Sequence, residues 1–214
     1  LDHLSALPGG DRLAHDHFVH AANMTDRAAA LTVLAHRHPD SDFSRQALDA
    51  FARRFEGDPL VIDKWFAIQA STPGAKAAGR VRALMAHPAF SMANPNRVRS
   101  LAGTFFAANQ TGFHAADGAG YALFGEVIPA LDRLNPQVAA RLATSLRSWR
   151  SLEAGRRELA RRDGPIHRHR RHPEDLGDLR NAVEPRRADR LASRLKTPHH
   201  RSVPIHVGNM YCTS

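Results

Sequence analysis

The sequence predicts an all-α protein, and three observations support this prediction. Apolar residues recur at spacings of three and four along most of the first 163 residues, which is typical of helices with one buried face. Residues that begin or end helices, such as Asn-Pro pairs and single glycines, separate these stretches. No segment alternates apolar and polar residues as a β-strand would. We therefore expect helices that pack as antiparallel hairpins into an α-solenoid-like superhelix, although the sequence shows no strict repeat period.

Five helices are predicted in the first half of the chain. Their expected starts are Asp11, Thr25 as a cap, Ser41 as a cap, Pro59, and the pair Thr72-Pro73. The first, second, third and fifth are expected to end at Ala22, Pro39, Gly57 and His87-Pro88. The side chains expected to face inward include Leu31, Leu34, Phe43, Phe51, Val61, Trp65, Phe66, Val81 and Leu84.

Four more helices are predicted in the second half. The sixth begins at the cap Asn94-Pro95 and ends at Asn109, with its apolar stripe running from Val98 to Phe106. A loop rich in glycine and polar residues follows it. The seventh helix is expected from Gly120 to Arg133, the eighth from Asn135-Pro136 through Trp149, and the ninth from Leu152 to Arg162, with Pro129 kinking the seventh.

The character of the chain changes after Asp163, so we divide it into residues 1–163 and 164–214. The formal net charge is +9, of which the first part holds 20 Lys and Arg against 16 Asp and Glu. The second part holds 10 against 5, with little apolar periodicity. Such a composition predicts a disordered basic tail. The tail is either a genuine extension or the result of reading out of frame.

Composition also limits the functional classes. The sequence contains no run of about 18 apolar residues, so we expect no membrane span. Cys212 is the single cysteine, which excludes an intrachain disulfide and fits a cytoplasmic location. The chain starts with Leu1 rather than Met, and we expect it to be a fragment of a longer protein. Because the excess positive charge lies mainly in the tail, nucleic acid is not an expected partner.

Fourteen histidines raise the question of a metal site. His15, His17 and His20 fall in one predicted helix, but no carboxylate or further histidine completes a tetrahedral set at a recognisable spacing. His167, His169 and His172 lie in the tail. We therefore predict no metal or cofactor site in this chain.

Several sequence blocks, in order, resemble one protein family. They are residues 23–27 (NMTDR), 61–66 (VIDKWF), 90–121 (FSMANPNRVRSLAGTFFAANQTGFHAADGAGY) and 134–139 (LNPQVA). Their order and spacing resemble the C-terminal helical domain of bacterial aminopeptidase N, a zinc aminopeptidase of the gluzincin type. The resemblance extends from about His15 to about Arg162.

This resemblance implies a function in a larger enzyme. A gluzincin needs an H-E-x-x-H helix to hold zinc and activate water, and this family also needs a Gly-x-Met-Glu-Asn segment for the substrate's amino group. Neither motif occurs in the 214 residues, so the chain alone should be inactive. The implied role is a cap domain that encloses the active-site cavity and restricts access. Its partners would be the zinc-bearing catalytic domain of the same parent chain and peptide substrates.

The resemblance also suggests candidate site residues. Arg99 in NRVRSL and Arg141 in PQVAARL match family arginines that point into the cavity. Asn96 and His114 are further candidates for lining it. Each has a plainer alternative: the arginines could be surface residues whose stems cover apolar neighbours, Asn96 a turn residue, and His114 a loop residue that bonds the backbone.

A second function from another class stays open at this point. The chain could be a free-standing α-solenoid that binds a protein or nucleic acid on its concave face, with the basic tail adding attraction. That hypothesis explains the charge but not the ordered family blocks. A catalytic H-E-x-x-H motif encoded upstream of Leu1 would favour the cap domain.

Overall fold

The computed structural model describes residues 1–163, and these residues form helices and connecting turns without a β-strand. The predicted all-α class is therefore confirmed. The α-helices are α1 (Gly10–His20), α2 (Met24–Arg37), α3 (Asp42–Arg54), α4 (Pro59–Ser71), α5 (Ala77–Met85), α6 (Pro95–Val98), α7 (Thr104–Ala108), α8 (Gln110–Phe113), α9 (Ala119–Asp132), α10 (Pro136–Ala143) and α11 (Ala154–Asp163). A π-helical turn, Arg99–Gly103, joins α6 to α7, and short 3₁₀ turns occur at Leu4–Ala6, Thr144–Leu146 and Trp149–Ser151.

Helices that are neighbours in sequence pack against each other along the chain. Such contacts join α1 to α2, α2 to α3, α4 to α5, and α9 to α10. This arrangement is that of the expected solenoid of helical hairpins. One continuous hydrophobic core runs through the described residues. Its largest fully buried side chains include Phe51, Phe66, Phe105, Phe106, Phe113, Tyr121 and Phe124.

The aromatic residues of the second half form one cluster around Phe113. The ring of Phe113 lies between 5.3 and 6.0 Å, centroid to centroid, from four other rings. These rings come from α7 and α9 and belong to Phe105, Phe106, Tyr121 and Phe124. Because tilted and edge-to-face contacts join Phe113 to rings of both helices, it has little freedom to move.

Most helix starts follow the sequence signals. Ser41, Asn94 and Asn135 each accept a backbone N–H bond at the start of their helices, as predicted. The cap of α2 was predicted at Thr25, and this prediction is wrong. Asn23 accepts from the N–H of Asp26 at 2.8 Å and donates its own amide to the Asp26 carboxylate. This reciprocal bonding resembles a capping box, and it starts the helix earlier.

Three other predicted boundaries also differ from the structure. The pair Thr72-Pro73 does not start a helix, because the Thr72 hydroxyl bonds back to the Ile68 carbonyl and Gly74 turns the chain with a φ of 108°. The loop after Asn109 begins with the short helix α8, capped by Asn109 itself. The eighth helix ends at Ala143 and continues as separate 3₁₀ turns, although Leu146 and Trp149 are buried as expected.

Arg97 is the most buried charged side chain of the central segment, with 8% of the residue exposed. It forms an ion pair with Asp63 of α4 and donates to the carbonyls of Pro59 (2.8 Å) and Ala89 (3.0 Å). Its guanidinium also lies 5.7 Å from the ring centroid of Phe66. These contacts fix the start of α6 on α4 and explain why a cation is present where the helix dipole disfavours it.

Among residues 1–163, no helix is long and apolar enough to cross a membrane. The prediction of a disordered tail concerns residues 164–214, which lie outside the described residues.

Candidate functional site

A groove of about 780 Å³ lies between the π turn with α7 on one side and α10 on the other. The π turn inserts an extra residue into an otherwise continuous helix, and such turns are frequent at functional sites. On the opposite wall, Asn135 and Pro136 start α10 and place its first turns along the groove. Two elements of different local geometry thus form the site.

The lining of the groove combines positive, polar and small apolar groups. None of the residues that line it is acidic. The lining residues are Pro95, Arg99, Gly103, Thr104, Ala107 and Ala108 on one wall, and Asn135, Gln137, Val138, Arg141, Leu142, Thr144 and Ser145 on the other.

The two predicted arginines lie on opposite walls of this groove. Arg99 is the first residue of the π turn, and Arg141 belongs to α10. Both residues are exposed, and within the described residues neither guanidinium forms an ion pair. Two uncompensated positive charges facing one groove favour a ligand that supplies carbonyl oxygens or a carboxylate.

Arg99 is held in place by its own helix. Its Nε donates to the Pro95 carbonyl at 3.1 Å, and its Nη2 donates to the Asn96 side-chain oxygen at 2.9 Å. Asn96 was predicted to line the cavity. In the structure it contacts the guanidinium of Arg99 and is not itself a groove residue.

His114 lies outside the groove, at the end of α8. Its Nδ1 is 2.8 Å from the Tyr121 hydroxyl, and its carbonyl accepts from Nε of Arg156 at 2.6 Å. Burial lowers the pKa of His114, and the nearby positive charge of Arg156 lowers it further. Within the described part of the chain, His114 therefore links α8, α9 and α11. Whether it also faces a cavity in a longer protein remains a prediction.

The lowered pKa predicts how stability depends on pH. Folding disfavours the protonated imidazole of His114, because its pKa is lower in the folded state than in the unfolded state. As the pH falls below about 6.5, the usual histidine pKa, the unfolded state therefore gains protons first and the domain loses stability. The loss is complete once the pH lies below the folded-state pKa. His114→Gln should flatten part of this dependence, measured as the free energy of unfolding of the 214-residue chain at pH 7.5 and pH 5. Part should remain, because burial also lowers the pKa of His36.

His17→Gln is the matched control for this experiment, because His17 is exposed on α1. It should leave the pH dependence as in the parent sequence. If His114→Gln behaves like His17→Gln, the imidazole of His114 does not contribute to the pH dependence of folding.

The residue that sequence reasoning underestimated is Arg97. It was not among the predicted site residues, whereas in the structure it anchors α6 on α4. The signal that could have found it is the pair of blocks VIDKWF and NPNRVRSL, which supply an acid and a base to adjacent helices.

The described residues contain no group of three or more His, Cys, Asp or Glu side chains that could hold a metal ion. They therefore do not fit a zinc centre, and any zinc of a parent enzyme would be bound by other residues. Within the described part of the chain, the candidate functional site is the groove lined by Arg99 and Arg141.

Comparison with known families decides the identity of the domain. A family model described as "Domain of unknown function (DUF3458_C) ARM repeats" matches residues 1–184. The chain belongs to the DUF3458_C family. ARM repeats are stacked helical units, in agreement with the solenoid arrangement of this DUF3458_C domain.

The DUF3458_C domain also has curated relatives named aminopeptidase N. It is 41% identical to the protein of Escherichia coli over 152 residues, and 39% identical to that of Haemophilus influenzae over 163 residues. These alignments cover 71% and 76% of this chain but only 17% and 18% of the relatives. The resemblance to the C-terminal domain of aminopeptidase N is therefore confirmed, for a chain that spans less than a fifth of the relatives it matches.

A solved structure shares the fold of this DUF3458_C domain. The crystal structure of Legionella pneumophila aminopeptidase A in complex with aspartic acid matches with a TM-score of 0.72 and 29% sequence identity. The match covers 82% of this chain and 20% of the other. The domain thus occurs within longer aminopeptidase chains.

Proposed function

We propose that this domain caps the active site of a zinc aminopeptidase and restricts which peptides reach it. In this proposal, the groove between the π turn and α10 faces the active-site cavity of the parent chain. The parent reaction would be hydrolysis of the N-terminal peptide bond by zinc-activated water. The cap would supply enclosure and peptide contacts, and the catalytic domain would supply the zinc ligands.

The observation that carries this proposal is the position of Arg99 and Arg141 in one groove. They lie on different helices, yet both line the same groove without an acidic neighbour in its lining. Surface arginines that only cover apolar neighbours with their stems need not converge in this way. Their free donors would bind the carbonyl oxygens or acidic side chains of an extended peptide.

Replacing either arginine in the parent protein should therefore lower kcat/KM more for peptides than for small substrates. We expect Arg99→Met and Arg141→Met each to lower kcat/KM for tri- and tetrapeptides about tenfold, the scale of one charge-assisted hydrogen bond. Single-residue anilides should be affected less, because they are too short to reach the cap. The measurement is steady-state hydrolysis of both substrate classes by the full-length variants.

Arg53→Met is the matched control, because Arg53 is an exposed arginine of α3 that lies outside the groove. Arg53→Met should leave kcat/KM unchanged for both substrate classes. If Arg99→Met and Arg141→Met change kcat/KM for peptides and for anilides by the same factor, the groove does not contact the substrate. The domain would then act on stability or on another partner, as a free-standing solenoid would.

A further inference from the structure

Arg99 owes its orientation to two acceptors that precede it in the same helix. Nε is held by the Pro95 carbonyl, and Nη2 is held by the Asn96 side chain. Within the described residues the remaining amino group, Nη1, has no hydrogen-bond partner. An arginine fixed at two of its three nitrogens loses less side-chain entropy when the third binds a ligand.

Asn96 is itself well placed to serve as a fixed acceptor. Its backbone N–H donates to the side-chain oxygen of the cap Asn94 at 3.0 Å. The next residue, Arg97, is anchored to α4 through Asp63 and the Pro59 carbonyl. The backbone of Asn96 is therefore held on both sides, and its short side chain has few alternative positions.

The chemical type of Asn96 is as informative as its position. A carboxamide oxygen accepts the guanidinium hydrogen bond without bringing a negative charge. An aspartate at this position would hold the guanidinium too, but it would neutralise the positive charge that the groove presents. Asparagine thus fixes the geometry of Arg99 and preserves its charge.

The π turn completes this arrangement. Arg99 begins the turn, and the Thr104 hydroxyl at its far end lies 3.4 Å from the Arg99 carbonyl. A side chain added at Gly103 would meet Cδ2 of Leu142 at 3.1 Å, so the turn approaches α10 closely. Leu142 directly follows Arg141, and this close approach brings the wall that carries Arg141 next to the wall that carries Arg99.

From this geometry we propose that Asn96 is the positioning residue of the groove: it orients the Arg99 guanidinium as a neutral acceptor and acts on ligands only through Arg99. The kinetic consequence rests on the proposed function, in which the groove contacts peptide substrates. The orientation of Arg99 does not depend on that function and can be measured separately.

The orientation is tested in the 214-residue chain by NMR of the arginine side chains. Rotation of the Arg99 guanidinium about its Cζ–Nε bond should be slow in the parent sequence and several-fold faster in Asn96→Ala. Asn96→Asp keeps an acceptor and should restore slow rotation. Arg27, whose guanidinium donates to the carbonyls of Phe18 and Ala21, should rotate slowly in every variant and reports that the fold is intact. Unchanged rotation of Arg99 in Asn96→Ala would overturn the proposal.

The kinetic test is a double-mutant cycle in the full-length parent protein. Asn96→Ala should raise KM for tetrapeptides several-fold with little change in kcat, because a binding interaction is weakened. Asn96→Ala combined with Arg99→Met should match Arg99→Met alone within about twofold, since the first residue acts through the second. If the double variant instead shows the product of the two single effects on peptide kinetics, Asn96 acts independently of Arg99.

The two hypotheses fail in different ways. If Arg99→Met changes kcat/KM for no substrate, the proposed function is wrong. The rotation measurement then still decides whether Asn96 positions Arg99. Arg99→Met could lower kcat/KM for peptides while Asn96→Ala changes neither the rotation rate of the Arg99 guanidinium nor KM. In that case the groove contacts peptide, and the positioning role of Asn96 is wrong. Asn96→Asp separates charge from orientation: slow rotation together with weaker binding of acidic peptides is expected, and unchanged binding would contradict the charge argument.

Discussion

Replacing Gly120 with alanine should destabilise the domain by about 3 kcal/mol or more, the upper range for forcing atoms into a packed core. Gly120 is the second residue of α9, and a Cβ there would lie 2.2 Å from the Phe113 carbonyl oxygen. The obstructing atoms belong to the backbone and cannot rotate away. Because the Phe113 ring is enclosed by four others, the backbone that carries it cannot shift cheaply.

Gly79→Ala is the matched control for Gly120→Ala. Gly79 lies within α5, and nothing is within 4 Å of the position that its Cβ would occupy. Alanine should stabilise this helix by about 0.5–1 kcal/mol, because glycine has the poorer helix propensity. The measurement is chemical denaturation of the 214-residue chain. Similar free energies of unfolding for the two variants would contradict the packing described around Phe113.

Removing Asp63 should cost about 3 kcal/mol of folding free energy, the lower end for breaking a buried ion pair. The side chains of Arg97 and Asp63 are only 10% and 15% exposed. In Asp63→Ala, the guanidinium of Arg97 would keep its two carbonyl acceptors but lose its counter-charge in a poorly solvated place. We also expect faster amide hydrogen exchange in α6, because this ion pair fixes that helix to α4.

Asp40→Ala provides the comparison for this second variant. Asp40 pairs with Lys76, but the two side chains are 75% and 79% exposed. Solvent screens such a pair, so its loss should leave the free energy of unfolding nearly unchanged. Equal losses in Asp63→Ala and Asp40→Ala would mean that burial does not strengthen the Arg97 pair. Unchanged hydrogen exchange in α6 would mean that the pair does not anchor it.

Much of the fold could be predicted because its signals are local. Ser41, Asn94 and Asn135 cap helices through bonds that span two or three residues, and proline follows two of them. The apolar stripes from Val98 to Phe106 and in α9 reflect helical geometry alone. Such features need no knowledge of what lies far away in the chain.

The wrong predictions concern residues with two possible roles. Thr72 carries the signature of a cap, yet its hydroxyl closes the preceding helix instead. The cap of the second helix was predicted at Thr25, but Asn23 caps it by bonding both the N–H and the carboxylate of Asp26. The π turn left no recognisable pattern, because it depends on how α6 and α7 pack on α4.

The candidate site was only partly accessible from the sequence. Arg99 and Arg141 came from family resemblance, and the structure places both in one groove. Their contact with substrate is still a proposal. That Asn96 lines the cavity of a longer protein stays a prediction, and its bond to Arg99 depends on side-chain rotamers that no sequence pattern specifies. Asn96 and Arg99 are three residues apart, a spacing at which helical side chains meet, and this was the available signal.

The segment from Arg97 to Asn109 is bonded to α4 at both of its ends. Arg97 is tied to the beginning of α4, and the Asn109 amide donates to the carbonyls of Ala70 and Thr72 at the other end of that helix. Deleting one residue from the π turn would barely shorten the segment, but it would turn one end against the other by about 100°. Only one tie could then be kept. Single-residue insertions and deletions should therefore be purged from this segment during divergence, even where substitutions on its exposed face are accepted.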